Sequence, residues 1–290
     1  MARAGFSDAG AGWLRWLPAG LAALTVLAAL SWADTLRTYF DTDRAFAAAS
    51  ARGTLIVAVP PRPQPTLTVG HVDRTLRAPD SFSAALANDL GRRAGLPVTF
   101  VLVEPRAAQE AVRSGKADVA IAGLPFAPDA SLAFAPTSYA TGRGLALVLR
   151  HGNVKDWDDL RGRAICAPAG SPFAAQAARR YHSSLQSFER PLDALLAFQA
   201  GECAALVDDE LVVRALLKQS GWAYYRALPG TIAASPAFVA SAGGDAATAA
   251  FIDDAVRDWR RGRWLSTVRQ DLASRLAFDM FNAENDLYCH

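Results

Sequence analysis

The chain has no excess charge of either sign. Lys and Arg total 30 against 28 Asp and Glu, a net +2, so no concentrated basic face argues for nucleic acid. Catalytic and cofactor signatures are missing as well. The 4 histidines, His71, His151, His182 and His290, are scattered, and no pair has metal-ligand spacing. No Ser sits in a G-x-S-x-G elbow, no P-loop is present, and no G-x-G-x-x-G follows a strand. No metal, no cofactor and no enzymatic activity is expected on these grounds. Gly, Pro and Ser are not pooled into a long linker, and no internal repeat occurs, which excludes a solenoid. What remains is a chain of 290 residues, 51% hydrophobic, enough for one large domain or two smaller lobes.

Cysteine is scarce at 3. Cys166 lies in the apolar run AICAP and Cys203 opens the run CAALV. If those strands are close in one sheet, a disulfide is feasible in an oxidising compartment. Two buried free thiols are the alternative. Cys289 has no evident partner.

The N-terminus indicates export. Arg3 and Arg15 precede an apolar run from Leu17 to Trp32, and Ser31-Trp32-Ala33 offers a small-x-small cleavage site before Asp34. A cleaved secretory signal is favoured over an uncleaved anchor, because the run is slightly short for a spanning helix. Either way, the basic flank places the rest of the chain outside the cytoplasm. Residues 34–52 read as a spacer.

From Gly53 the pattern is α/β. Strands are expected at Thr54–Val59, Val98–Val103, Ala117–Gly123 and Leu145–Leu149. A helix carries Phe82, Leu86, Leu90 and Ala94 on one face and stops at Gly95; another spans Ala107–Arg113. A second run gives strands at Ile165–Pro168, Ala204–Val207 and Tyr224–Leu228. Its helices are Phe173–Tyr181, Leu192–Gln199 and Leu211–Lys218. Phe238-Val239-Ala240 returns to the first group, and helices follow at Ala246–Arg260 and Trp264–Leu276. The expected organisation is lobe one, 53–149 plus 236–290, and lobe two, 150–235. A chain that leaves one lobe and returns makes two crossovers, hence a hinged cleft. Ligands in open α/β sheets sit beyond the carboxyl ends of strands, where Gly170-Ser171 and Asp208-Asp209 fall. Gly170-Ser171 offers N–H groups and a hydroxyl at a helix start, or serves only as a cap before Pro172. Asp208 and Asp209 also suit the N-cap of the helix at Leu211.

These segments carry a family likeness. Gly53–Val59, Ser114–Ala120 (SGKADVA), Asp159–Ser171, Leu195–Asp209 and Gly262-Arg263-Trp264 follow one another as in the extracellular (periplasmic) solute-binding proteins of family 3. These are the amino-acid-type substrate-binding proteins of ABC transporters, and the chain resembles them over nearly all of Gly53 to Leu276. The resemblance implies a periplasmic-binding-protein-like type II fold of two lobes and a monomer in the periplasm. It also implies a small polar ligand and an inner-membrane ABC permease as partner. It implies, too, that Cys166 and Cys203 pair, since some members carry Cys at both places. It carries ligand contacts onto Gly123 and Pro125 after the third strand, onto Gly170 and Ser171, and onto Asp209, which stands where the family's acid meets the ligand amino group.

The chain also departs from that family. The Arg that holds a ligand carboxylate is replaced by Ala130, the nearby Thr by Pro125, and the usual aromatic of the first loop by Pro60–Pro65. Alanine supplies no guanidinium fork, so an ordinary α-amino acid is not the expected ligand. Arg62 is a substitute candidate in the cleft; Arg143 reads as a solvated residue. Phe126 either lines a pocket or simply packs. Similarity to cyclohexadienyl dehydratases, which share the scaffold, makes Glu104 or Asp129 a candidate acid under an enzymatic reading. A membrane-tethered accessory or sensor domain is the other alternative.

Overall fold

The computed structural model describes residues 45–63 and 76–288, with side chains to Met280. The signal or anchor segment, most of the spacer, His71, Cys289 and His290 lie outside the described residues. Among the described residues, no helix is long and apolar enough to cross a membrane. The elements below belong to the compact unit Phe46–His290.

The first run comprises helix α1 (Ala47–Arg52), strands β1 (Leu55–Val59), β2 (Pro61–Pro63) and β3 (Arg77–Pro79), helix α2 (Ser81–Ala94), β4 (Val98–Leu102), α3 (Pro105–Arg113), β5 (Val119–Leu124) and β6 (Leu132–Phe134). The chain then builds β7 (Arg143–Leu149), β8 (Ala164–Pro168), α4 (Ala174–Tyr181), β9 (Ser184–Phe188), α5 (Pro191–Gln199), β10 (Ala205–Asp209), α6 (Glu210–Leu216), β11 (Tyr225–Ala227) and β12 (Ile232–Ala233). It returns through β13 (Phe238–Ala242) and closes with α7 (Ala246–Arg261) and α8 (Trp264–Tyr288).

Two mixed sheets result. The first has the order β4-β1-β5-β13-β6 and the second β11-β7-β10-β8-β9, with β12 also on β7. In the first, β1 is parallel to β4 and β5, while β13 is antiparallel to β5 and β6. In the second, β8 is parallel to β9 and β10, and β7 is antiparallel to β10. Each sheet with its helices is one lobe. The chain crosses between them after β6 and again before β13, as the type II arrangement requires.

Local chemistry sets the element ends. Asp80 caps α2 by accepting the Ser83 N–H, and Gly95 ends it at φ 67°. The buried face of α2 meets α7 through Asp89, whose carboxylate accepts the Trp259 indole N–H and pairs with Arg92 and Arg93. Trp259 in turn stacks on Trp264 with ring centroids 5.4 Å apart.

Strand alternation divides the second lobe's core cleanly. Ala146, Val148, Ile165, Ala167, Ala205 and Val207 face one layer with α4. Leu145, Leu147, Cys166 and Leu206 face the other, with α5, α6 and Trp222. That second layer also takes in Ala273 and Met280 of α8. The C-terminal helix therefore packs on lobe two as well as on α2 and α7 of lobe one. Cys166 and Cys203 form a disulfide, Cα–Cα 5.6 Å, that joins β8 to the turn before β10.

Several sequence expectations change. The strand expected at Leu145–Leu149 in lobe one runs over Arg143–Leu149 and pairs with β10 in the second sheet. Its five consecutive buried residues suit a central strand of either sheet, so only pairing decides its place. β9 was not expected, because SLQSF is an exposed edge strand with no apolar run. The Pro-rich loop forms the short ribbon β2-β3. The last helix runs to Tyr288, not Leu276.

Candidate functional site

The carboxyl ends of β1, β5, β8 and β10 carry the residues singled out in the sequence. The structure brings Arg62 to one of them directly. Arg62 projects from β2, just after β1. Its guanidinium donates to the Ala169 carbonyl across the lobes at 2.7 Å and lies 3.4 Å from the Asp80 carboxylate. Ala169 precedes Gly170, which holds φ +77° and whose missing side chain leaves space for the Arg62 guanidinium. Arg62 is only 24% exposed, so the contact is not a loose surface pair. A second contact between the lobes joins Arg77 to Glu189 at 3.2 Å.

Ser171 is occupied as a cap. Its hydroxyl accepts the Phe173 and Ala174 N–H groups at the start of α4. Gly123 also holds positive φ, at +70°. Its N–H donates to the Tyr139 hydroxyl at 2.8 Å. Burial raises the Tyr139 phenol well above its ordinary value. Pro125 and Phe126 are exposed beyond β5. Phe126 packs edge-on against Phe238 and tilted against Phe134, and remains 49% exposed.

The two acids of β10 have different fates. Asp208 is buried and its Oδ1 accepts the Asp209 N–H at 2.7 Å. Burial pushes its carboxyl up to about 7; the Asp209 N–H draws it back, and the Asp209 charge adds to the rise. Asp209 caps α6 by accepting the Leu211 N–H at 2.9 Å. Both its oxygens also bind the Arg269 guanidinium of α8, at 2.6 and 2.7 Å. The pair is largely shielded, at 12% and 15% exposure.

Arg269 was missed in the sequence, although a signal existed. Leu265, Ala273 and Ala277 are buried at intervals of eight and four residues, and Arg269, midway between the first two, stands on the same stripe. A lone Arg on an apolar helix face calls for a buried carboxylate. The guanidinium also lies against Gly142, where a Cβ would fall inside it.

Ala130 supplies no cation, and the Asp209 carboxylate at the end of β10 is paired with Arg269. Of the candidate acids, Asp129 is held well below the usual carboxylate range by Ser131 and Arg113, so it is ionised and unsuited to donate a proton. Glu104 sits exposed at the start of α3. Arg143 is 62% exposed and lies 3.5 Å from Glu210. His151 is exposed. Among the described residues, no group of three or more His, Cys, Asp or Glu is placed to hold a metal ion.

No family model matches the chain, and no curated protein does either. Solved structures do. An amino acid ABC transporter substrate-binding protein, AbpA, from Streptococcus pneumoniae bound to L-arginine is 18% identical, with a TM-score of 0.55 over 80% of this chain and 99% of that one. An ancestral arginine-binding protein bound to arginine is 22% identical, TM-score 0.52, over 76% and 98%. The ancestral amino-acid-binding protein AncCDT-1, a precursor of cyclohexadienyl dehydratase, is 20% identical, TM-score 0.55, over 78% and 97%. Likeness at such identities speaks for architecture, and with the strand orders above it shows that the chain has the periplasmic-binding-protein-like type II fold.

Proposed function

We propose that the protein is an exported solute-binding protein. It closes its lobes over a small polar ligand and presents that ligand to an ABC permease in the inner membrane. The support is the shared fold of proteins named as ABC transporter substrate-binding proteins, together with the residues at the strand ends. The observation that carries the reading is the Arg62 bond to the Ala169 carbonyl, which spans the two lobes where the strands end. Gly123, Pro125, Gly170, Ser171 and Arg62 are the proposed ligand-facing positions. A ligand that touches both lobes favours the closed population, and closure is what a permease reads. Solute binding is preferred over the dehydratase alternative because the solved structures that share the fold include proteins named as ABC transporter substrate-binding and arginine-binding proteins.

The experiment is a thermal-shift screen of leaderless, oxidised protein against amino acids, small carboxylates, aromatic acids, polyamines and sugars. A ligand at 100 times its Kd adds about 2.7 kcal/mol, equivalent to a rise of roughly 5–10 °C. A hit should weaken in Arg62→Ala and should compact the protein in solution scattering. No hit across the library would count against solute binding. An intact N-terminus in the membrane fraction would assign the role to a tethered form.

A further inference from the structure

A net charge of +2 for the whole chain hides a local imbalance at the outer end of lobe two. Residues 150–182 hold six basic residues, Arg150, Lys155, Arg161, Arg163, Arg179 and Arg180, against three acidic ones, Asp156, Asp158 and Asp159. All six cations are exposed. Among the described residues none of the six is in an ion pair, whereas most arginines elsewhere, from Arg52 to Arg269, are. Two of the three acids are engaged by their own turn. Asp159 accepts the Lys155 N–H, and Asp156 accepts those of Asp158 and Asp159.

The fold gathers these cations at one pole. β8 runs from Ala164 to Pro168 towards the Ala169-Gly170 corner, so Arg161 and Arg163 stand at its far end. α4 runs back from that corner and brings Arg179, Arg180 and His182 to the same end. There the Gly162 N–H donates to the His182 carbonyl at 2.9 Å, and Trp157 stacks on Tyr181 with centroids 5.2 Å apart. β10 is parallel to β8 and antiparallel to β7, so β7 also ends at this pole, where the Arg150 N–H donates to the Tyr224 carbonyl at 2.8 Å. The Arg226 guanidinium binds the Val154 carbonyl at 2.7 Å and keeps Lys155 beside β11. Leu149 and Tyr224, 53% and 77% exposed, stand next to the cations.

We propose that this pole is a docking surface for an anionic lipid bilayer. Guanidinium groups pair with phosphate oxygens, and a cluster of unpaired cations collects at an anionic leaflet. Tyr224 and Leu149 supply the matching apolar part, since a Tyr ring sits at headgroup level with its apolar body towards the chains. A bilayer accepts the cations and the apolar tips together, whereas an acidic protein face would leave Leu149 and Tyr224 unmatched. The apolar run Leu17–Trp32 brings the chain to a membrane under either reading of the N-terminus. The pole is opposite the strand ends of the candidate site, so docking there leaves the cleft clear and does not depend on any solute.

The test is co-sedimentation of leaderless protein, which keeps the compact unit Phe46–His290, with vesicles. One set is equal parts phosphatidylglycerol and phosphatidylcholine, the other phosphatidylcholine alone. Wild type should bind the first set in low salt, release from it in about 0.5 M salt, and ignore the second. Arg161→Ser/Arg163→Ser/Arg179→Ser/Arg180→Ser should weaken binding about tenfold or more. A variant with the same loss of charge elsewhere, Arg106→Ser/Lys116→Ser/Arg261→Ser/Arg275→Ser, should weaken it by less than about threefold. Tyr224→Ser/Leu149→Ser should lower binding and leave its salt dependence intact. No binding by folded wild type, equal binding to both vesicle sets, or equal losses in the two charge variants overturns the proposal. So does binding to poly-glutamate without binding to vesicles, which would assign the pole to an acidic protein face. If the fourfold variant at the pole does not fold, the pairs Arg161→Ser/Arg163→Ser and Arg179→Ser/Arg180→Ser decide, each with a loss of about threefold or more expected and no loss in either overturning it.

Discussion

Asp208→Asn tests the electrostatics at the root of the second lobe. Asp208 is 9% exposed, and its ordinary value of 3.8 is raised to about 7. An acid whose folded value lies above its unfolded one binds its proton more tightly when folded. Folding is therefore unpenalised below the unfolded value. It is penalised progressively as pH rises towards about 7, and by a constant amount above that. The gap between 3.8 and about 7 corresponds to a penalty of roughly 4 kcal/mol once the group is ionised. Asn keeps the Oδ1 acceptor for the Asp209 N–H and cannot ionise; its extra N–H groups add an offset that does not vary with pH. Urea unfolding of both proteins at about pH 5 and about pH 8 isolates the titration. The stability of the variant relative to wild type should grow by about 2–3 kcal/mol between those conditions. A difference that stays flat within about 0.5 kcal/mol would refute the reasoning, because Asp208 would then not titrate in that range.

Two further outcomes are expected. The disulfide closes a loop of 37 residues, and chain-entropy arguments give roughly 4 kcal/mol for that length, so Cys166→Ala/Cys203→Ala should melt about 8–15 °C lower than oxidised wild type. A fall of less than about 3 °C would contradict the loop-closure account. Gly142→Ala forces a Cβ into the Arg269 guanidinium at a residue with φ +90°, so denaturant unfolding should show a loss of about 2 kcal/mol or more. In the Arg269→Ala background the same change should cost less, leaving only the backbone strain; equal losses in both backgrounds would show that the guanidinium does not lie there.

Much of the architecture was legible from local pattern. β1, β4, β5, β8, β10 and β13 are short apolar runs between turn residues, and α2 carries its apolar face and both caps in sequence. The crossing and return of the chain followed from that order. Edge elements were not legible. β9 and the β2-β3 ribbon bury little, so they leave no hydrophobic period to read. β7 was legible as a strand but not as to its sheet.

At the site, residue identity and residue role parted. Gly170-Ser171 and Asp208-Asp209 were placed correctly at strand ends, because helix starts and strand ends are written locally in caps and turn residues. Whether Asp209 is free or filled was not written there. Its partner lies 60 residues away on another helix, and only packing of α8 against lobe two brings it near. Likewise, Asp208 and Asp209 are adjacent acids in sequence, yet strand alternation and burial push one up to about 7 and give the other a guanidinium. The sequence by itself determined the α/β elements, their order and the chemistry available at their ends. The tertiary structure alone decided which of those groups remain unpaired, because satisfaction of a charge depends on distance in space, and a helix 55 or more residues downstream carries the group that settles it.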